Sequence, residues 1–164
     1  MALIEEVFRN RASGPLERAL NLLIVARNQP STYFASNGEE RRSLTVAASD
    51  GVQVIKVTIY DQSKFMKFQT GTTLSVRNSI RKTQDGEQTL IITKSTKVFI
   101  TQTLVAPGRH VQKGRILINP PAADVLPIQQ AIRSPLKQRV SVCRRIVQVF
   151  LALTFTHCAS SDAH

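Results

Sequence analysis

The sequence contains few of the residues on which several classes of protein depend. Its two cysteines, Cys143 and Cys158, are too few for a disulfide framework and belong to no set of cysteines and histidines at zinc spacing. Tryptophan is absent, and aromatic residues make up only 5% of the chain. The apolar stretch 146–158 is too short to span a bilayer, and residues 1–11 lack the pattern of a secretory signal. We therefore expect an intracellular protein with no metal site and no membrane partner.

Motifs of common catalytic sites are also missing. The chain has no HExxH, GxSxG, P-loop or glycine-rich dinucleotide fingerprint. Its three histidines, His110, His157 and His164, accompany no cluster of serine, cysteine or carboxylate residues along the sequence. Distant residues can still meet in a fold, so these absences weaken the case for an enzyme without removing it. We expect no catalytic residues, no cofactor and no small-molecule substrate.

What the chain has in excess is positive charge. Its 22 lysines and arginines exceed its 11 aspartates and glutamates, which gives a net charge of +11. Residues 109–164 are the more basic part, with eight basic and two acidic side chains. A protein this basic attracts polyanions, and nucleic acid is the commonest polyanion inside cells. An anionic membrane surface or a protein partner would also fit the charge, and we expect nucleic acid.

The apolar pattern predicts one all-β domain with an extension at each end. Residues 1–19 are weakly helical and are interrupted at 13–15. The stretch from Leu20 fits a helix or a strand equally well, and we predict a strand. Residues 106–128 hold four of the seven prolines and therefore predict a loop. The predicted organisation is an N-terminal extension over 1–19, a β domain over 20–103, a linker over 104–135 and a basic, partly disordered extension over 136–164.

Five strands are predicted within the β domain. Residues 43–48 and 52–60 are rich in β-branched residues and flank an Asp-Gly turn, which indicates a hairpin. Residues 62–69 form a short amphipathic connection, in which Phe65 and Phe68 are expected to plug the bottom of the domain. The five predicted strands begin at Leu20 and continue with 43–48, 52–60, 72–82 and 89–101.

These strands resemble the single-strand-binding OB domains of replication protein A and its relatives. The likeness rests on the turn Ser49-Asp50-Gly51, the strand 55–61 with an aromatic residue and Asp at its end, Gly71 ahead of 73–76, and the strand 90–94. It covers about half the chain. The resemblance implies a five-stranded OB-type Greek-key barrel that binds single-stranded nucleic acid, above all DNA, without chemistry. It also implies a role in replication or repair and a nuclear location.

Alternation of side chains along the strands predicts which residues would meet a ligand. If Ile55, Val57 and Ile59 fill the barrel, then Lys56, Thr58 and Tyr60 stand on its outer face. In the fourth strand the same rule places Leu74, Val76 and Ile80 inside, and Ser75, Arg77, Ser79 and Arg81 outside. Asn78 then falls on the inner set, which indicates a strand end or a bulge at that position.

An OB barrel binds single strands on its second and third strands, where bases need flat partners and phosphates need cations. The resemblance places a stacking aromatic at Tyr60, although that ring could instead close the edge of the core. The second strand lacks the family's further aromatic, so Phe34, beside Tyr33, is the candidate replacement or else a loop anchor. The candidate nucleic-acid-binding residues are Tyr60, Lys56, Arg41, Arg42, Phe34, Arg77, Arg81 and Lys82.

Two other functions fit the sequence. An OB barrel can serve as a protein–protein contact in a larger nucleic-acid-processing complex, with other OB-fold proteins as partners. The barrel could also be an inert carrier for the basic C-terminal third. Residues 139–149 resemble the opening strand of another OB domain, and too few residues follow to complete it. Either the chain is a short product of a longer tandem-OB gene, or that strand packs on the first barrel.

Overall fold

A computed structural model describes residues 3–9, 13–84, 86–121, 125–126 and 141–142. The chain forms two compact units, Met1–Pro121 and Ala122–His164. In the second unit the described residues form one short parallel pair of strands, Val125–Leu126 with Ser141–Val142. The predicted disordered extension and incomplete second OB domain otherwise fall outside the described residues, as do both cysteines.

The first unit is mostly β-structure. Its strands are β1 (Gly14–Leu16), β2 (Leu20–Arg27), β3 (Ser31–Phe34), β4 (Glu40–Ser49), β5 (Val54–Ile59), β6 (Thr73–Arg77), β7 (Ser79–Gln84), β8 (Glu87–Ile92) and β9 (Lys97–Ile100). Its helices are α1 (Ile4–Phe8), a 3-10 helix (Gln62–Lys67) and α2 (Gly108–Ile118). No helix of the described residues is long and apolar enough to cross a membrane.

The strands form a curled sheet in the order β1-β7-β8-β5-β4-β2-β6-β9, and β3 pairs with β4. All these pairs are antiparallel except β5 with β8, which is parallel. β6 and β7 are separated along the chain by Asn78 alone, yet they lie toward opposite ends of this order. The chain bends sharply at Asn78 between β6 and β7, and this bend curls the sheet back on itself, which gives an OB-like Greek-key arrangement.

The interior confirms the predicted alternation. Five of the six residues that alternation places inside, Ile55, Val57, Ile59, Leu74 and Val76, are at most 3% exposed, and Leu90 and Ile92 of the last predicted strand are buried with them. Phe65 and Phe68 of the connection are buried with them, as predicted. The N-terminal segment expected to be helical contains α1, whose buried Ile4, Val7 and Phe8 join the same core, but its residues Gly14–Leu16 form strand β1.

The prediction of five strands is wrong in number. The fourth predicted strand is divided at Asn78, whose φ of 57° is left-handed, a conformation that asparagine tolerates better than most residues. The fifth is divided by a turn at 93–96, and β1 and β3 are additional. The break at Asn78 also reverses the alternation beyond it: Ser79 is buried, whereas Ile80 is 36% exposed. Ile80, expected inside, and Ser79, expected outside, were therefore assigned to the wrong faces.

The predicted linker is helical over 108–118. Pro107 directly precedes α2, where a proline disturbs no helical hydrogen bond, and Pro120 and Pro121 lie beyond its end. The prolines that favoured a loop therefore bracket the helix instead of interrupting it. This position matters for the site, because α2 packs on the outer face of the sheet.

Candidate nucleic-acid interface

The outer face of the barrel is divided into two halves with different surroundings. The covered half consists of the outward residues of β2 and β4 that lie beneath α2. The open half consists of the outward residues of β5, β8 and β7. Val25, Ala26 and Ala47 of the covered half form an apolar cluster with Ile118 of α2. A Cβ atom at Gly114 would lie 2.7 Å from Val25 Cγ2 and 3.0 Å from Ala47 Cβ, so only glycine permits this approach.

Polar contacts fix both ends of α2 on the covered half. Near the start of the helix, buried His110 Nδ1 and Ser49 Oγ share a hydrogen bond of 2.8 Å. At its end, Asn28 Nδ2 donates to the Ile118 carbonyl at 3.2 Å, and Asn119 Nδ2 donates to Asn28 Oδ1 at 2.7 Å. The face predicted for ligand, on the second and third strands, is therefore partly occupied by the protein's own helix.

The open half carries a row of polar and basic side chains across three strands, beside a second row, Thr58, Ile91 and Ile80, that is mostly apolar. Lys56 of β5 is paired with Thr89 of β8, which is paired with Lys82 of β7. Adjacent strands lie about 4.8 Å apart, so these lysines stand roughly 10 Å apart on one face. Lys56 Nζ donates to Glu87 Oε1 at 2.9 Å, whereas Lys82 is exposed. This half is therefore a shallow basic surface with hydroxyl groups in its floor.

An aromatic corner, formed by Tyr33, Tyr60 and Arg41, stands at one end of this surface. The rings of Tyr33 and Tyr60 meet edge to face, with centroids 5.5 Å apart. Tyr60 is 43% exposed, so it remains accessible beside Lys56 and Thr58. Tyr33 is paired with Arg41 across the β3–β4 ribbon, which places both side chains on one face.

Arg41 is held by a carboxylate of the same ribbon. Its Nη2 donates to Glu39 Oε2 at 2.7 Å. This hydrogen bond raises the pKa of Arg41 above its ordinary value and, with a smaller contribution from Asn37, lowers the pKa of Glu39. Both side chains are more than half exposed, so this ion pair contributes little to stability and its arginine can exchange partners.

The structure brings four of the eight candidate residues together: Tyr60, Lys56, Arg41 and Lys82. Phe34 and Arg42 alternate to the opposite face of the β3–β4 ribbon, although Phe34 is 73% exposed. Arg77 lies on β6 directly across from Lys97 of β9, away from the open half.

Arg81 serves the fold instead of an outer surface. The reversal at Asn78 turns it toward α1, where its Nη1 donates to the Val7 carbonyl at 2.7 Å. Its Nε atom is buried and makes no hydrogen bond within the described structure. The assignment of Arg81 to the outer face is therefore wrong.

The sequence did not predict two features of this surface, the position of Tyr33 and the helix α2. The sequence pairs Tyr33 with its neighbour Phe34, but alternation along β3 puts the two rings on opposite faces. α2 was missed although β2 and β4 read LLIVA and TVAA, with apolar residues on both faces. Strands of that kind are covered on both sides. Within the described ranges, no group of three or more His, Cys, Asp or Glu side chains is placed to hold a metal ion.

No protein-family model and no curated protein matches the sequence. Solved structures with a similar fold include the HINa domain of Ifi202 in complex with a 20-bp double-stranded DNA, with a TM-score of 0.52, 11% identity, and coverage of 76% of this chain and 58% of that one. The p202 HIN1 domain in complex with a 12-mer double-stranded DNA gives a TM-score of 0.53 at 11% identity, covering 76% and 57%.

A hypothetical protein from Arabidopsis thaliana, solved in solution, gives a TM-score of 0.50 at 15% identity and covers 65% of this chain and 77% of that one. The present chain thus spans less than three fifths of the HIN-domain chains that it matches. Identities this low show the fold alone. Together with the strand order, the comparisons show that this chain has an OB-like β fold.

Proposed function

We propose that this protein binds single-stranded nucleic acid, in the first place DNA, on the open half of its outer face and catalyses no reaction on it. The observation that supports this most is the aromatic corner at the end of the Lys56–Lys82 row. Single strands are bound where flat rings lie among cations, because the rings stack on bases and the cations neutralise phosphates. Tyr33 and Tyr60 supply the rings, and Arg41, Lys56 and Lys82 supply the cations.

The carboxylates on this surface do not oppose the proposal. Glu39 and Glu87 each pair with one of the cations, and both are at least half exposed. Exposed ion pairs are weak because water screens them, so a phosphate group can replace either carboxylate at small cost. The Thr89 hydroxyl adds a neutral hydrogen-bonding group between the two lysines, and the Thr58 hydroxyl adds another on the same face.

The similar structures support DNA as the ligand class. The HIN domains of Ifi202 and p202 were solved with double-stranded DNA, which shows that a fold of this kind accommodates DNA in those proteins. The exposed ring of Tyr60 favours a single strand here, since bases in a duplex are already stacked on each other. The proposal includes a role in DNA replication or repair and a nuclear location, which imaging of a tagged chain would test.

Titration of fluorescein-labelled oligonucleotides, followed by anisotropy at several salt concentrations, tests the proposal. With about three to five phosphate contacts, log K should fall against log salt with a slope of roughly −2 to −3.5 for a single strand. A matched duplex should bind more weakly. Tighter binding to the duplex, or an affinity that does not change with salt, would contradict the proposed mode.

A protein–protein contact is the second candidate function. It is favoured by edge strand β9, where Phe99 and Ile100 are 53% and 71% exposed. One edge carbonyl is already occupied, because Lys67 Nζ donates to the Val98 carbonyl at 3.1 Å. If this function is the right one, the intact protein should bind no oligonucleotide, and Phe99→Ser should weaken its association with a purified OB-fold partner.

A further inference from the structure

α2 has a defined direction on the sheet. His110 lies over Ser49, Gly114 over Ala47, and the end of the helix at Asn28. α2 therefore runs antiparallel to β4 and parallel to β2. The backbone amide and carbonyl of Ile24 form hydrogen bonds toward β6, so the backbone groups of the next residue along, outward-facing Leu23, point toward β4. Because all residues are L-amino acids, this sets the left–right order of the strands. Seen from outside with α2 pointing up, β4 lies to the right of β2, and β5 lies beyond β4.

The two flanks of α2 follow from this direction. In a right-handed helix pointing up, the residue before each sheet-facing residue lies on the right flank. Arg109 and Lys113, which precede His110 and Gly114, therefore face the side of β5. Arg115 follows Gly114 and lies on the opposite flank, toward β2. One helix thus presents two cations to the open half and one cation away from it.

The flank facing β5 has the chemistry of a phosphate-binding wall. The two cations also border a shallow, mostly apolar depression of about 450 Å³, whose described lining, Arg109, Gln112, Lys113, Ile116 and Leu117, lies on α2 itself. Residues 104–121 contain no aspartate or glutamate, and neither cation forms an ion pair with a described carboxylate. Ile116 is 55% exposed, so the wall also offers apolar surface against which a base or sugar can pack.

We propose that α2 forms a side wall of the nucleic-acid site, and that Arg109 and Lys113 bind backbone phosphates of the strand that lies on the open half. This inference rests on the proposed function and adds the reason for preferring a single strand. A helix with its side chains rises about 10 Å above the sheet. It therefore bounds the floor formed by β5, β8 and β7 on one side, leaving a channel for one strand and obstructing a duplex.

The double variant Arg109→Gln/Lys113→Gln tests the inference, with Arg115→Gln as the matched control on the same helix. The probe is a fluorescein-labelled oligothymidylate of about 15 residues, within the range of site sizes of OB folds. The double variant should bind about tenfold more weakly at low salt, and its salt slope should be shallower by about 1.4, which corresponds to two lost phosphate contacts. Arg115→Gln should retain both the affinity and the slope of the wild type. Thermal melting should be the same for all three proteins, because the substituted side chains are exposed.

The outcomes separate this inference from the proposed function. If the wild type binds the probe, Tyr60→Ala weakens it, and the double variant behaves like Arg115→Gln, the wall is wrong and the proposed function stands. If Arg115→Gln weakens binding as much as the double variant, the effect is general charge and the wall is again wrong. If the wild type does not bind the probe at low salt, both proposals fail.

Discussion

The covered and open halves of the outer face differ in chemistry although they belong to one continuous sheet. Beneath α2 the outward residues are small or apolar, as at Val25, Ala26 and Ala47. Across β5, β8 and β7 they include Lys56, Thr58, Thr89 and Lys82, together with the isoleucines at 80 and 91. The covered half is complementary to a helix, whereas the open half is complementary to a polar, anionic ligand.

Under the proposed function, this difference moves the ligand away from part of the face that the sequence predicted. α2 covers β4, the second of the predicted strands, and its close approach depends on glycine at 114. The remaining surface turns around the barrel toward β8 and β7. Lys82, on the predicted fourth strand, thereby joins the site, and Tyr60 marks its end.

The largest effect is expected from Val57→Asp, because Val57 is fully buried in the core that both halves share. A buried carboxylate without a partner costs several kcal/mol, which approaches the typical domain stability of about 5–15 kcal/mol. The variant should be unfolded by circular dichroism. Thr58→Asp, one residue further and on the outer face, should stay folded. A cooperative melt of Val57→Asp near the wild-type temperature would contradict the described core.

Gly114→Val is expected to break the covered half alone. Its Cβ would meet Val25 and Ala47 at 2.7 Å and 3.0 Å, and the alanine Cβ cannot move away without the strand. Overpacking of this kind costs about 1–3 kcal/mol. Urea denaturation should show this loss, and exchange of the β2 amides should become faster. Gln112→Val, on the exposed side of α2, is the control. Equal stability of the two variants would show that α2 does not pack as described.

Tyr60→Ala should sharpen the comparison by weakening the open half without unfolding the protein. Loss of a stacking ring should reduce oligonucleotide affinity by about 1–3 kcal/mol. Tyr60→Phe should retain most of the affinity, since stacking uses the ring and not the hydroxyl group. Melting temperature and affinity should be measured on the same sample. A lower melting temperature with unchanged affinity of the folded protein would make Tyr60 an edge of the core instead.

The smallest effect is expected at Asp61, which lies outside both halves. Its carboxylate caps the 3-10 helix by accepting from the Ser63 amide at 3.2 Å, and it receives Lys64 Nζ at 2.6 Å. The hydrogen bond from Lys64, followed by that from Ser63, lowers the pKa of Asp61. Asp61→Ala should therefore cost about 0.5–2 kcal/mol at neutral pH, as the loss of a cap does.

The same group gives a pH dependence of known sign. A carboxyl group whose pKa is lower in the folded state stabilises the protein above its ordinary pKa of about 3.9, and this contribution is lost as the pH falls through the folded value. The difference in urea midpoint between wild type and Asp61→Ala should therefore shrink on acidification below pH ~4. Oligonucleotide affinity at neutral pH should not differ. A difference in urea midpoint that grows on acidification would contradict the described contact between Asp61 and Lys64.

Local sequence patterns predicted the core residues, whereas the features that the sequence did not predict depend on long-range packing. Alternation placed Val57, Leu90 and their neighbours correctly, because a strand with one buried face has a fixed period of two. It failed after Asn78: the pattern marked that position as a strand end or a bulge, but it did not show that a single left-handed residue there reverses the two faces. The same reversal turned Arg81 toward the Val7 carbonyl.

The sequence predicted the part of the candidate site that lies along one strand and missed the part that depends on contacts between distant segments. Tyr60, Lys56 and Thr58 share a face within one strand, so their grouping follows from the sequence. The approach of Tyr33 depends on β3 pairing with β4, a contact that the loop-like composition of residues 29–40 did not suggest. The position of α2 depends on complementary small residues, Gly114 and Ala47, that are 67 positions apart in the chain.

The central claim is that nucleic acid binds the open half, and amide chemical-shift mapping of the full chain with an oligothymidylate tests it most directly. The account predicts shifts that concentrate at Tyr33, Arg41, residues 56–60, Lys82 and Thr89, and on the flank of α2 that bears Arg109 and Lys113. Residues of β6 and β9, including Arg77 and Phe99, should remain unchanged. Shifts confined to β6 and β9, with the aromatic corner unaffected, would contradict it.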